Sequence, residues 1–276
     1  MKVKQNLHTH SSYDDGKDSI EASVLSALDK GFTSLGFSGH GTNWPLDGSS
    51  MTSQATQDYI RDVRAMQEKY KDQIEIYCGI EQDSMSRLDT TPYDYVIGSV
   101  HFLQKGDKFL PVDNSPNTFK EILEDFYHGD IQQMVREYYR YVGEQAYWPE
   151  VDIIGHVDLI SKYNENEEFF PFEADWYLKE AYKAIDQIIE QGKILEMNTG
   201  AISRGVRKTP YPHQSLLNHI HEKGGKICLN TDCHNKDWLD VGMADCLERA
   251  KKAGFDQIWI NTKEGFAPVP IEDFQV

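Results

Sequence analysis

No apolar run in this chain approaches the roughly 20 residues that a membrane-crossing helix needs, and the stretch from Met1 to Leu7 is too short and too polar for a signal peptide. A cytoplasmic protein with no membrane partner is expected. Cysteine is scarce. Cys78, Cys228, Cys233 and Cys246 show no CxxC spacing, and three of them fall in or beside strand-like or helical runs, where buried, inert thiols are common. Cations are in short supply as well, 28 Lys and Arg against 45 Asp and Glu, for a formal net charge of -17. Binding a polyanion requires a basic surface that releases counterions, so this deficit argues against a nucleic-acid partner. It does not exclude an anionic small molecule, because bound metals and a few local cations outweigh the global field at contact range. There is no low-complexity tract and no internal repeat. The remaining composition is that of a globular protein: 39% hydrophobic and 12% aromatic residues over 276 positions can bury a sizeable core. That length suits a single α/β barrel domain over residues 1–276.

Seven short runs rich in β-branched residues read as strands: Val3–Leu7, Ser34–Ser38, Ile74–Ile80, Tyr95–Val100, Val151–Ile154, Ile194–Met197 and Ile227–Asn230. Helical stripes lie between them. Ile20, Val24 and Leu28 recur at i, i+4 and i+8 before Gly31, and Ala184, Ile185, Ile188 and Ile189 form a similar face before Gly192. Asp58–Tyr70, Phe119–Tyr127, Gln132–Glu144, Gln214–Lys223 and Ala244–Ala253 show the same kind of pattern. Such alternation predicts a β/α barrel or a doubly wound open sheet. Because a polar residue closes almost every strand, the barrel is preferred: its active site is built at the carboxyl ends of many strands, whereas an open sheet gathers ligands near one switch point. The irregular stretches Gly41–Gln54 and Lys105–Asn117 are expected to rim that site. Gln257–Ile260 reads as an eighth element or an edge piece.

The strand ends read NLHTH (His8, His10), GFSGH (His40), YCGIE (Glu81), IGSVH (His101), IIGH (His156) and LNTDCH (Asp232, His234). Imidazoles and carboxylates at this density suit divalent transition metals such as Zn, Mn or Fe. His8 and His10 point the same way from a strand end, so both rings can reach one ion. Alone, such a pair is a weak signal. Its repetition at five other strand ends strengthens it, since burying these groups together without a cation leaves unpaired polar atoms. Glu81 can bridge two cations, as an imidazole cannot, and would set a dinuclear spacing of about 3.5–4 Å. Asp232 and His234 repeat the one-residue skip, which turns Cys233 away. His128, His213, His219 and His221 lack the strand-end context and read as solvated or structural.

Taken in order, HTH…DG, SGHG, GIE, SVHF, GHVD, NT and TDCH resemble the PHP (polymerase and histidinol phosphatase) superfamily from Leu7 to His234. GSVHF, GHVDLISKY and LEMNTGAISRG look most like its stand-alone histidinol-phosphate phosphatases. The resemblance implies a distorted (β/α)7 barrel with three divalent metals at the carboxyl ends of its strands. It implies that His8, His10, Glu81 and Asp232 hold the first, Glu81, His101 and His156 the second, and Asp15, His40 and His234 the third, with Asp14 an equally suitable oxygen donor beside Asp15. Arg204 resembles the arginine that grips the substrate phosphate, a role that suits a bidentate guanidinium, and Lys162 stands where relatives often carry a second basic residue. The implied reaction is hydrolysis of L-histidinol phosphate to L-histidinol and inorganic phosphate, a step of histidine biosynthesis, by a metal-bridging hydroxide. Asp232, His234 or a metal-bound water would return a proton to the leaving oxygen. Alternatives are a PHP phosphoesterase acting on another small ester or on nucleic acid, an amidohydrolase-like metal hydrolase and a catalytically dead barrel. Two-metal amidohydrolases usually place a carboxylated lysine at the end of strand four, where this chain has His101. Dead relatives tend to lose ligands that this chain keeps. Asn43, Trp44 and Tyr163 fall in the loops around the expected substrate, with no role fixed by sequence, and the oligomeric state is open.

Overall fold

The structure, a computed structural model, describes residues 2–42, 44–45 and 48–276. Strands β1 (Gln5–Asn6), β2 (Ser34–Phe37), β3 (Glu75–Asp83) and β4 (Tyr95–Ser99) are followed by a hairpin of β5 (Phe102–Lys105) and β6 (Lys108–Pro111). Then come β7 (Ile153–Ile154), β8 (Ile194–Asn198) and β9 (Lys226–Asn230), and a last hairpin of β10 (Gln257–Thr262) and β11 (Gly265–Pro270). β1, β2, β3, β4, β7, β8 and β9 pair in that order, all parallel. The first and last are tied by a parallel bridge between Thr9 and Cys233, in which His10 N donates to Cys233 O (2.9 Å) and Cys233 N to His8 O (3.1 Å). This gives the expected (β/α)7 barrel, nearly closed. It is distorted where β1 and β7 contribute only two residues each to the ladder.

Helices α1 (Ile20–Asp29), α2 (Ser53–Tyr70), α3 (Pro116–Tyr127), α4 (Ile131–Gln145), α5 (Asp175–Glu190), α6 (Gly200–Ser203), α7 (Gln214–Glu222) and α8 (Met243–Ala253) intervene. Ser19, Thr52, Ser115 and Asp130 start four of them by accepting a first-turn amide on the side chain. The Thr52 cap is why α2 begins at Ser53, ahead of the apolar stripe that marks it from Asp58 onward. Two expectations need correction. Lys105–Asn117 is not irregular: Lys105 pairs with Lys108 across a two-residue Gly106-Asp107 turn, with Gly106 at φ 59, a hairpin signal present in the sequence. Gln257–Ile260 joins no barrel strand but pairs antiparallel with β11.

Period-two alternation gives each barrel strand two different faces. Ile76, Cys78 and Ile80 on β3, Leu195 and Met197 on β8, and Ile227 and Leu229 on β9 belong to the large core shared with the helices. The alternate residues Leu7, Tyr77, Tyr95, Ile97, Ile153, Ile194 and Cys228 form a separate cluster that fills the barrel, with Trp259 and Phe266 of the last hairpin packed against it. Further along the same inner faces the side chains turn polar: Glu81 and Asp83, Glu196 and Asn198, then Asn230. The strands therefore carry an apolar plug toward their amino ends and a polar mouth toward their carboxyl ends. Tyr95 lies between the two. Its hydroxyl donates to Leu7 O and to Phe37 O (3.1 Å), and its ring occupies space that Gly79 leaves free. A Cβ at position 79 would lie 2.2 Å from Tyr95 Cζ. Gly79→Ala should therefore cost about 1–3 kcal/mol through overpacking, read as a lower urea midpoint at unchanged m-value.

Candidate metal centre

β1 leads directly into His8, Thr9 and His10. Because Thr9 is laddered to Cys233, the flanking residues His8, His10, Asp232 and His234 project to the opposite face, into the barrel mouth. Cys233 is in the outer core, as expected, and donates through Sγ to Asn235 O (3.1 Å). All four cysteines are free and buried, and burial pushes the thiols of Cys78 and Cys233 up to about 12. Asp232 takes a left-handed backbone (φ 46), costly for a residue with a Cβ and held here by the Cys233 bridge on one side and by Thr231 N donating to Asn6 Oδ1 (3.1 Å) on the other. The turn carrying Asp14 and Asp15 folds back over His10 and closes at Gly16, where a Cβ would come 2.4 Å from Ser11 N. His40 is bridged to Glu81 beyond the end of β2, which sets their side chains together.

Three groups of side chains have ligand atoms close enough to hold a cation: His8, His10 and Asp232; Glu81, His101 and His156; and His10, Asp15, His40 and His234. Glu81 stands between them. Its Oε2 lies 3.3 Å from His8 Nε2, 3.7 Å from His10 Nε2 and 2.9 Å from His40 Nδ1, while Oε1 lies 3.2 Å from His156 Nε2 and 3.5 Å from His101 Nε2. Asp232 Oδ1 lies 3.3 Å from His10 Nε2 and 3.9 Å from His8 Nε2. Asp15 Oδ1 lies 3.1 Å from His234 Nε2 and 3.7 Å from His40 Nε2. Asp14 behaves differently, because both its oxygens are engaged: Oδ1 accepts Ser11 N (2.9 Å), and Oδ2 accepts His40 N (3.0 Å) and lies 2.5 Å from His10 Nδ1.

Glu196 and Asp83 were not anticipated. Glu196 Oε1 lies 2.7 Å from His8 Nδ1 and accepts Asn230 Nδ2 (2.9 Å), and its Oε2 accepts His156 N and Asn198 Nδ2 (2.9 Å each). Asp83 Oδ2 accepts His101 N (2.8 Å) and lies 3.2 Å from His101 Nδ1. The signal for both was the period-two step, Glu81 to Asp83 and Glu196 to Asn198. With one ring nitrogen of His8 and of His10 held by a carboxylate, Nε2 of each is buried and left without a hydrogen-bond partner, as are His40 Nδ1 and Glu81 Oε2. Each such orphan costs about 1–3 kcal/mol, and this pairing of held and open nitrogens is what metal-ligating histidines show. The residues fit divalent cations.

The electrostatics agree. Burial alone would lower the His8 imidazolium, yet Glu196, Glu81 and Asp232 prevail and raise it well above its ordinary value. His10 is likewise carried up to about 10, chiefly by Asp14 against burial, and His101 up to about 9 by Glu81 and Asp83. Burial would raise Glu81 and Asp232, but His8 and His101 around the first, and Arg204 and His8 around the second, hold both well below the usual carboxylate range. Without cations, the carboxylates favour the protonated forms of His8, His10 and His101, whereas burial and the neighbouring His10 lower His234.

The mouth opens into a cavity of about 500 Å³ lined by Asp15, His40, His101, His156, Asp232, His234, Arg204 and Lys162, among others. A larger one, about 640 Å³, lies at the opposite end of the barrel, where its charges are paired as Arg64 with Asp94 and Lys263 with Glu75. Arg204 Nη2 lies 3.0 Å from Asp232 Oδ2, and Nη1 3.0 Å from His234 Nδ1. Lys162 Nζ donates to Asp113 O (2.8 Å) and Oδ2 (3.0 Å). Trp44 packs its ring on His40 and His101 at centroid distances of 3.9 and 4.6 Å, and Tyr163 OH donates to Asp113 O (2.6 Å). Asn43 lies outside the described residues. The other four histidines stay apart from these groups: His128 closes α3, His213 stacks on Phe172, His219 stacks on Tyr182, and His221 meets Phe255 edge-on. No helix among the described residues is long and apolar enough to cross a membrane.

Comparison with known proteins places this arrangement. The histidinol-phosphatase of Bacillus subtilis is 27% identical over 268 residues, covering 88% of this chain and 97% of that protein. The histidinol-phosphatase of Lactococcus lactis is 25% identical over 269 residues, covering 93% of each. A solved structure from Listeria monocytogenes superposes with a TM-score of 0.78 at 19% identity, over 88% of this chain and 99% of that one. The Lactococcus lactis histidinol phosphate phosphatase, solved with Zn, L-histidinol and phosphate, superposes with a TM-score of 0.68 at 24% identity, over 96% and 98%. Residues 6–200, from β1 to the start of α6, match the PHP domain, and this chain belongs to that family.

Proposed function

We propose that this chain is a metal-dependent histidinol-phosphatase, which hydrolyses L-histidinol phosphate to L-histidinol and inorganic phosphate. The observation that carries the reading is Glu81, whose two oxygens face two different groups of imidazoles at the head of a cavity that also holds Arg204. The activities named for the Bacillus subtilis and Lactococcus lactis relatives support it, as do the histidinol and phosphate held by the Lactococcus lactis structure. His8, His10, Glu81 and Asp232 would hold one cation, Glu81, His101 and His156 a second, and Asp15, His40 and His234 a third, with Zn, Mn and Fe all compatible with the donor set. Held by these residues, cations would supply charge neutralisation for phosphoryl oxygens and an acidified water near pH 7. We likewise read residues 1–276 as one domain, since Val3 near the start bridges Phe274 near the end.

The chain's own groups perform the rest. Arg204 reaches the cavity with two nitrogens on one plane, which matches the phosphoryl oxygens of a dianion. Asp232 turns Oδ1 toward His8 and His10 and Oδ2 toward Arg204, so both its oxygens are engaged and its part is to hold the guanidinium at the cavity rather than to return a proton to the leaving alkoxide. His234 has Nδ1 against Arg204 and Nε2 against Asp15, and so has no spare proton for that task.

Glu81→Gln should lower metal content by more than one equivalent and abolish turnover, because it weakens two sites at once. A strong chelator should inactivate the wild type, with Zn or Mn restoring it. Metal analysis alongside phosphate release checks both, and wild-type turnover by Glu81→Gln would remove the bridging role. Arg204→Ala should lower kcat/KM about 10²-fold, roughly 2.7 kcal/mol. Arg204→Lys should recover only part of that, and inhibition by free phosphate should weaken in step. Measuring bound metal on the same samples separates loss of the phosphate grip from displacement of Asp232.

A further inference from the structure

One carboxylate in the cavity has no part in the centre described above. Among the described residues lining the cavity, Asp15, Asp232 and Asp113 carry carboxylates, and Asp113 alone belongs to none of the three groups. The β5–β6 hairpin places it: Phe102 pairs with Pro111, and Val112 N donates back to His101 O (3.0 Å), so the residue after the hairpin sits against a strand-end histidine. Its backbone is held by two donors on one oxygen, Lys162 Nζ (2.8 Å) and Tyr163 OH (2.6 Å). Its side chain is 25% exposed, with Oδ2 taken by Lys162 (3.0 Å) and Oδ1 without a hydrogen bond. Lys162 has three N–H donors. Two go to Asp113, which leaves one for a neighbouring phosphoryl oxygen.

A carboxylate that lines the cavity with one oxygen paired to Lys162 and the other open gains nothing from a dianionic ester that carries no other charge. It attracts one that carries a cation a few bonds from the phosphate. We propose that Asp113 is the specificity-determining residue for substrates with a positive charge, taking the ammonium of an amino-alcohol phosphate on Oδ1 while Lys162 joins it to the phosphoryl group. This rests on the phosphatase reading and extends it to the substrate's cationic end. Trp44, edge-on to Phe102 at 5.7 Å, supplies the apolar wall beside it.

The test compares wild type, Asp113→Asn and Asp113→Glu, each with its metal content measured, on L-histidinol phosphate, O-phosphoethanolamine and phenyl phosphate. Phosphoethanolamine keeps the amine without the imidazole; phenyl phosphate carries no cation. In Asp113→Asn the ratio of kcat/KM for L-histidinol phosphate to that for phenyl phosphate should fall at least about tenfold, the scale of one charged hydrogen bond. Asp113→Glu should regain part of it, and inhibition by L-histidinol should weaken more than inhibition by inorganic phosphate. A ratio within about twofold of wild type in Asp113→Asn, or a glutamate variant no better than the asparagine one, overturns the assignment. If the wild type does not hydrolyse L-histidinol phosphate, the phosphatase reading fails on that substrate. Asp113 is then decided by the phosphoethanolamine to phenyl phosphate ratio under the same two limits.

Discussion

One buried carboxylate organises the carboxyl end of this barrel. Glu81 is 1% exposed, and a charge so far from water is untenable without partners. Its partners come from other strand ends: His8 after β1, His40 after β2, His101 after β4 and His156 after β7. No local segment could supply them all. A sheet that curls until its first and last strands meet brings them within 3.5 Å of a single side chain, and the Thr9–Cys233 bridge is where that closure is made.

Closure has a second consequence, in the layer behind the imidazoles. Glu196, Asp14 and Asp83 each hold one ring nitrogen of a histidine, which fixes the ring and leaves the other nitrogen facing the centre. Each of these carboxylates also accepts backbone amides of the segment it supports: His156 N at Glu196, Ser11 N and His40 N at Asp14, His101 N at Asp83. The same groups that orient the rings therefore shape the loops carrying the other ligands, and site geometry and loop geometry are one constraint. The surplus of acid that argues against nucleic acid is partly spent here, where cations are required.

The strand-end residues were legible in the sequence because a β/α repeat announces itself by period, and because a polar residue after an apolar run has nowhere to go but the mouth. Asp15 could not be separated from Asp14 by sequence, since both are oxygen donors at adjacent positions. The difference lies in which way the turn before Gly16 folds, a tertiary property. Glu196 was hidden for another reason. It sits inside LEMN, a run that reads as apolar, and only the observation that Ile194, Glu196 and Asn198 share one face marks it as an interior charge. Helix starts at Thr52 and Ser115 were displaced from the apolar stripes because capping side chains, not hydrophobic periodicity, set them. The Gly106-Asp107 turn was readable by turn chemistry but was masked by the polar residues around it.

That hairpin carries more weight than an ordinary rim loop. It pins Val112 to His101 and Asp113 to Lys162 and Tyr163, and so ties this edge of the cavity to the barrel. Opposite it, α6 and its following residue bring Arg204 onto Asp232. Charges of both signs then line the cavity in pairs: the demand for cations around Glu81, the carboxylate of Asp232 with the guanidinium of Arg204, and the ammonium of Lys162 with the carboxylate of Asp113. Fixed charges of both signs cost no reorganisation when a ligand arrives, and they favour a ligand that itself carries both signs at the same spacing. A phosphate ester with a nearby cation meets that pattern at two points, where a simple phosphate monoester meets it at one. Discrimination between them then depends on rigidity, because a wall free to move would let Asp113 swing away from the ligand's cation and lose the second point.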